Sequence, residues 1–210
     1  MNVVLYGATG MIGSRILKEL IARGHRVTVV ARDPKKIAAT AKVRVVLKGD
    51  VLDAECIAST AKGADAAISA YGPPSNAPQL VEDSTRALIA GLKKAGVRRF
   101  LMVGGAGSLL VAPGVDLIDS GHLPDEYRNI AVAHRDALEM LKKSELDWTS
   151  LSPAAFIQPG ERTGKFRLGG DSLIADEQGN SKISAEDYAV AIVDELERPK
   201  HIRQRFTLAY

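Results

Sequence analysis

Val3-Val4-Leu5-Tyr6-Gly7-Ala8-Thr9-Gly10-Met11-Ile12-Gly13 is a short apolar run that feeds a glycine-spaced turn and then a helical pattern. A continuous β-branched and leucine run is what a parallel strand buried on both faces requires. Each glycine then has a separate use. Gly7 permits the tight turn out of the strand, Gly10 lets backbone approach a pyrophosphate, and Gly13 lets the new helix pack on the sheet. An anion placed there meets the free N–H groups and positive dipole end of the helix, so no Lys or Arg is needed. Ile12, Ile16 and Leu20 share one helical face, while Arg15, Lys18, Glu19 and Arg23 are expected on the solvent side and Gly24 at the stop.

With 210 residues and 46% hydrophobic content, one sizeable core is expected, hence a single domain over 1–210 with 154–185 as a small substrate-side lobe. The net charge of +3 is scattered rather than gathered in a run, which argues against a nucleic-acid partner. The lone cysteine, Cys56, rules out an internal disulfide and suits a reducing compartment, so the cytoplasm is the expected location. The first apolar run is too short for a signal-peptide core, and no stretch approaches a membrane span. The four histidines are dispersed, which leaves no metal-ligand cluster, and there is no internal repeat.

Outward from the glycine turn, the pattern alternates strand and helix. Val27 to Val30 is the predicted second strand, and it runs into Ala31-Arg32-Asp33-Pro34-Lys35-Lys36. An acid at this point binds ribose hydroxyls in NAD sites. Here Arg32 stands there, which suits the extra phosphate of NADP with Lys35 or Lys36 as helpers. Asp33 reads either as a ribose ligand or as an N-cap before Pro34. Val43 to Leu47 is the third strand, with Asp50 at its carboxyl end facing adenine or serving as a loop carboxylate; Asp53 is the N-cap of a helix over Ala54 to Lys62. Asp65 to Ala70 leads into Tyr71-Gly72-Pro73-Pro74, a loop expected beside the cofactor.

A helix over Gln79 to Lys94 and a fifth strand over Arg99 to Val103 precede Gly104-Gly105-Ala106-Gly107-Ser108. Ser108 is a candidate hydrogen-bonding group for a substrate carbonyl or flavin edge, or else part of the turn chemistry. Ile130, His134, Ala137, Leu138 and Leu141 share an inward helical face. His134 therefore either reaches the nicotinamide end as a proton donor or ribose ligand, or is a core histidine satisfied by a backbone carbonyl. Arg135 and Asp136 read as solvated charges. Asp147 to Ser152 is the sixth strand, Ser184-Ala185-Glu186-Asp187 is a capping box for the last helix, and Arg205 to Tyr210 is expected as an edge strand.

Gly-Ala-Thr-Gly-x-Ile-Gly, Arg-Asp-Pro, Val-Gly-Gly-Ala-Gly-Ser-Leu, Leu-Asp-Trp-Thr, Gly-Glu-Arg-Thr-Gly-Lys and the Ile-Ser-x-x-Asp-Tyr-Ala end span the chain. Together they resemble the NAD(P)H-binding, NmrA-like branch of the atypical short-chain dehydrogenase/reductases, near NADH-flavin reductases and distantly biliverdin reductase B. The resemblance implies an α/β Rossmann fold: a doubly wound parallel sheet with helices on both faces and a small C-terminal substrate-side lobe. Motif and resemblance together imply a cofactor site of Gly7, Thr9, Gly10, Met11, Ile12 and Gly13, then Arg32, Asp50 and Val51, then Ala70, Tyr71, Gly72 and Gly104. By the resemblance, Ser152, Pro153, Ala154 and Phe156 wall the nicotinamide; Phe156 either stacks on a planar acceptor or belongs to the core, the core being the simpler expectation. Residues 160–170 are expected on the substrate side, with Glu161 and Arg162 as surface charges.

The Tyr and Lys that short-chain dehydrogenases set four residues apart are missing, because Tyr127 is followed at that spacing by Ala131. A phenol without a cationic neighbour keeps a pKa near ten and is a poor acid–base catalyst. The expected activity is therefore hydride transfer from NADPH, or NADH, to a planar small-molecule acceptor such as a flavin or quinone, with Ser108 and His134 as the candidate catalytic residues. The alternative is a non-catalytic NADP(H) sensor read by a partner protein. An epimerase or dehydratase comes third. The oligomeric state is not legible in the sequence.

Overall fold

The computed structural model describes residues 1–37 and 43–210. Strand β1 (Asn2–Tyr6) passes through the glycine turn into helix α1 (Met11–Ala22), followed by β2 (Arg26–Ala31), a 3-10 turn (Pro34–Lys36) and β3 (Val43–Lys48). Then come α2 (Ala54–Thr60), β4 (Ala66–Ser69), α3 (Leu80–Ala95), β5 (Arg99–Val103), a small hairpin of β6 (Leu110–Ala112) and β7 (Val115–Asp116), and α4 (Asp125–Lys143). The chain continues through β8 (Asp147–Ser152), β9 (Phe156–Gln158), β10 (Arg167–Gly169), β11 (Lys182–Ser184), α5 (Ala185–Glu197) and β12 (Gln204–Ala209). Local signals set many of these limits. Asp53 Oδ1 accepts from the N–H groups of Glu55 and Cys56 to start α2, and Gly96 ends α3 in the left-handed conformation at φ 74°.

The main sheet runs β10-β12-β8-β5-β4-β1-β2-β3 and is parallel except for the antiparallel β10–β12 pair. Alternation along β1 sends Val3 and Leu5 into the core under α1 and α5, and Val4 and Tyr6 into the core under α2, α3 and α4. The doubly wound α/β expectation therefore holds. Strand order reverses beside β1, because the chain winds outward to β2 and β3 and then crosses to β4 on the other side. The carboxyl ends of β1 and β4 separate there, at the position where open α/β sheets bind ligands.

Two sequence expectations are corrected by long-range packing. The last strand is not an edge, since β10 pairs outside β12. Glu19 is not on the solvent side; it is 6% exposed. Arg162 Nε and Nη2 donate to its two oxygens at 2.9 and 2.7 Å, and Arg23 Nε donates to Oε1 at 2.8 Å. These hydrogen bonds, that of Arg162 foremost, hold the Glu19 carboxyl at a pKa of about 2. Arg162 is thus the clamp that fastens the 160–165 segment onto α1, rather than a free surface charge.

The α5 start is half a capping box. Ser184 Oγ accepts from the Asp187 N–H at 2.9 Å, as expected. The Asp187 carboxylate, fully buried, turns instead to the Thr163 hydroxyl at 2.6 Å, the Gly164 N–H at 2.7 Å and the Tyr210 hydroxyl at 2.9 Å. Within 154–185, β9 and β11 form a separate parallel ribbon, while β10 joins the main sheet.

Candidate functional site

The glycine turn lies at the strand-order reversal, and its three glycines have different surroundings. Gly7 has φ 82°, and a Cβ there would stand 2.4 Å from the Ala70 carbonyl oxygen. A Cβ on Gly13 would stand 2.1 Å from the Gly7 oxygen, so the start of α1 lies directly on the turn. At Gly10 the nearest neighbour would be the Gly7 oxygen at 3.5 Å. The space before Gly10 is therefore open. Gly10 caps α1 without a side-chain hydrogen bond, and the first turn, begun by Met11 and Ile12, carries no acidic residue. The helix N-terminus keeps its attraction for an anion.

A cleft of about 410 Å³ opens at this point. Gly7, Thr9 and Gly10 reach it from the turn, Arg32 from the end of β2, Asp50 and Val51 from beyond β3, and Ala70, Tyr71 and Gly72 from beyond β4. Arg32 is exposed and has no ion-pair partner among the described residues. Both nearby acids turn an oxygen onto their own backbone. Asp33 caps the 3-10 turn by accepting from the Lys35 N–H at 3.1 Å, with Pro34 following it, and Asp50 accepts from the Leu52 N–H at 3.0 Å. The Lys36 side chain lies outside the described residues. Burial raises the Tyr71 phenol above its ordinary pKa; the Arg32 charge opposes this and Asp50 adds to it.

Further along the same end of the sheet, Gly104 follows β5, donates to the Leu151 oxygen at 2.9 Å, and would press a Cβ to 2.7 Å from Ser150 Oγ. His134 projects from α4 onto the next residue, where a Gly105 Cβ would meet the His134 Cβ at 2.8 Å. Its Nδ1 is buried and has no hydrogen-bond partner. The reading of a core histidine satisfied by a backbone carbonyl therefore fails. Burial lowers its pKa to about 4, so the ring is neutral at physiological pH: it can donate or accept one hydrogen bond but holds no imidazolium proton to deliver.

Ser108 sits two residues before β6, where Arg205 Nη1 donates to both its carbonyl oxygen, at 3.0 Å, and its Oγ, at 3.1 Å. Asp171 Oδ1 in turn accepts from Arg205 Nε at 2.7 Å. Neither Arg205 nor Asp171 belongs to a recognisable motif; the one signal in the sequence is a charge at an inward position of the last strand. Arg135, expected to be solvated, pairs with Asp116 Oδ2 at 3.3 Å. Ser152 ends β8 and Pro153 and Ala154 follow it, all three buried, and the chain surfaces at Ala155. Phe156 is not in the core but 67% exposed, because alternation along β9 commits the neighbouring Ile157 inward. Tyr127 is 53% exposed on α4 with Ala131 one turn on, so no Tyr/Lys pair forms.

A reversal-point cleft behind a glycine turn, closed by the N-terminus of the first helix, defines a Rossmann-type nucleotide-binding domain. Comparison with known proteins gives the particular family. A family model described as NAD(P)H-binding matches residues 7–199, and the chain belongs to that family. Its ligand class is thus a nicotinamide dinucleotide. Among solved structures, one from Burkholderia pseudomallei, provisionally described as an exported protein, is 50% identical, with each chain fully covered and a TM-score of 0.91. One from Bacteroides thetaiotaomicron, provisionally described as an epimerase, is 47% identical over 100% of this chain and 96% of the other, at a TM-score of 0.92. One from Streptococcus pneumoniae, provisionally described as an NADH-flavin reductase, is 34% identical over 100% and 99% of the two chains, at 0.88. No helix among the described residues is long and apolar enough to cross a membrane.

Proposed function

We propose that the protein is an NADPH-dependent reductase of a planar acceptor such as a flavin or quinone. The observation that carries this reading is the pairing of an anion-ready cleft with a neutral, unpartnered His134 in place of a Tyr/Lys acid. The open space at Gly10 and the acid-free first turn of α1 fit a pyrophosphate, and the unpaired Arg32 fits a ribose phosphate, with Asp33 withdrawn into its own cap. When bound, the reduced nicotinamide supplies a hydride, so that acceptor, hydride and one solvent proton together give the two-electron-reduced acceptor.

The chain's part in this chemistry is positioning. The first-turn N–H groups of α1 would bind the diphosphate, Arg32 would select the phosphorylated ribose, and His134, by its Nε2 rather than the enclosed Nδ1, would offer a hydrogen bond to the nicotinamide half. Ser108, with its Oγ already accepting from Arg205, keeps its own O–H free to donate. An acceptor that needs no enzyme-borne acid suits this set better than a sugar or alcohol does. The description of the Streptococcus pneumoniae relative points the same way.

The test is oxidation of NADPH by the purified protein with FMN and a set of quinones, followed through loss of reduced-nicotinamide absorbance, with NADH run in parallel. Acceptor-dependent turnover above the protein-free rate, faster with NADPH, is the expected result. Tight NADPH binding with no turnover on any acceptor overturns the reading and leaves the cofactor-sensing alternative.

A further inference from the structure

A second cavity, of about 300 Å³, lies at the same carboxyl-terminal end of the sheet, beyond β8. Phe156 and Gln158 of β9, Lys182 and Ile183 of β11, and Tyr210 after β12 line it, with Glu161 at one side. The β9–β11 ribbon explains why it is two-natured. Phe156 pairs with Lys182 and Ile157 with Ile183. Period-two alternation sends the two isoleucines into the core and leaves the phenyl ring and the ammonium together on the outer face.

Of the two rings, Tyr210 is held in place. The Tyr210 hydroxyl donates to Asp187 Oδ2 at 2.9 Å and accepts from the Ser184 N–H at 3.3 Å, which fixes a ring that is still 43% exposed. Phe156 is the most exposed large apolar side chain among the described residues, and it has no aromatic partner there. Lys182 makes no ion pair within 4 Å among the described residues, although Asp176 lies within its electrostatic reach. The phenyl ring and the ammonium together offer an apolar face and a positive charge to a single ligand.

The position suits an acceptor. The nucleotide cleft opens between β1 and β4, whereas β9 begins just past the end of β8, about three strand spacings or roughly 14 Å from β1. The Gly104–Gly105 turn with His134, and then Pro153-Ala154, lie between the two along the same edge.

We infer that this cavity binds the acceptor, and that the acceptor is a planar aromatic molecule carrying an anionic group: its rings lie against Phe156 and Tyr210, and its anion pairs with Lys182. This rests on the reductase reading but is tested apart from it. FMN and riboflavin share one ring system and differ by the phosphate, so they separate the two contacts. Flavin binding is measured by fluorescence quenching on the full chain without reduced nicotinamide, and steady-state KM with NADPH is measured beside it. Phe156→Ala is expected to weaken both flavins at least fivefold. Lys182→Gln is expected to weaken FMN about fivefold and to leave riboflavin within twofold. A thermal melt unchanged from wild type in both variants shows that the fold is intact. Wild-type protein that binds neither flavin, or variants that bind both flavins as wild type does, overturn the inference. Flavin binding with the expected losses but no NADPH oxidation would support this cavity and overturn the reductase reading instead.

Discussion

Gly10 and Gly13 stand three residues apart in one motif, yet the structure separates their roles, and alanine at each position tests that separation. At Gly13 a methyl group would sit 2.1 Å from the Gly7 oxygen, 2.8 Å from the Gly7 carbonyl carbon and 3.1 Å from the Ala8 Cα, all backbone atoms. Relief requires α1 to move off β1 by roughly 1 Å, and overpacking of this kind costs about 1–3 kcal/mol. Alanine returns about 1 kcal/mol of helix propensity, so the net loss approaches 2 kcal/mol only if the clash lies at the upper end of that range. For a chain of this length that loss is a fall in Tm of about 4–8 °C. At Gly10 the new methyl meets one atom at 3.5 Å, and its φ of −76° suits any residue, so the cost is confined to a poorer N-cap, about 0.5–1 kcal/mol. The methyl does, however, fill the space where a diphosphate approaches the helix. Gly10→Ala is therefore expected to keep Tm within about 4 °C and to lose at least tenfold in NADPH affinity. Thermal unfolding and a fluorescence titration of NADPH read the two effects on the same samples. Gly10→Ala protein that binds NADPH as wild type does would refute the cleft as the diphosphate site, and a Gly13→Ala protein that melts above wild type would refute the packing argument.

Arg32→Ala should weaken NADPH about tenfold and NADH by less than twofold, and equal losses in both titrations would remove the phosphate role from this guanidinium. His134→Ala should slow turnover roughly tenfold without a matching fall in NADPH affinity, as loss of one hydrogen bond predicts; a global loss of stability with normal turnover of the folded fraction would return this residue to the core. Because the folded-state pKa of His134 is depressed from 6.5 to about 4, the unfolded chain binds more protons between those values. Its contribution to stability is intact above about pH 6.5 and falls by up to about 3 kcal/mol as pH drops to 4, so denaturant melts of His134→Phe protein should show a shallower acid slope than wild type. Glu19→Gln should cost about 2 kcal/mol by stripping charge from the hydrogen bonds to Arg162 and Arg23, with the difference from wild type shrinking below pH 4 as Glu19 approaches its pKa of about 2.

Much of the site's nucleotide half was legible because its signals are local. Strand, turn and helix lie within the first 22 residues, Gly7 answers to its own positive φ, and Gly13 answers to a neighbour six residues away. The ends of β2, β3 and β4 converge on that turn by the winding rules for parallel sheets, which is why Arg32, Asp50 and Tyr71 could be named in advance as residues of one region. The β9–β11 ribbon was less legible. A period-two pattern three residues long does not say which of its faces is buried, so the core is the simpler sequence expectation for Phe156 although Ile157 occupies it.

By itself the sequence determined the α/β class, the order of the main strands and helices, several of their caps and the glycine turn, because hydrophobic period, N-cap chemistry and left-handed glycine conformation act over a few residues. Only the tertiary structure decided which distant side chains meet. Arg162 finds Glu19 across 143 positions, Thr163 and Tyr210 converge on Asp187, Arg205 holds Ser108, and β10 turns back to cover β12. It also left His134 Nδ1 buried without a partner. Each of these depends on how two separate segments close against the sheet, and that closure is set by the free energy of the whole core rather than by any stretch of chain within it.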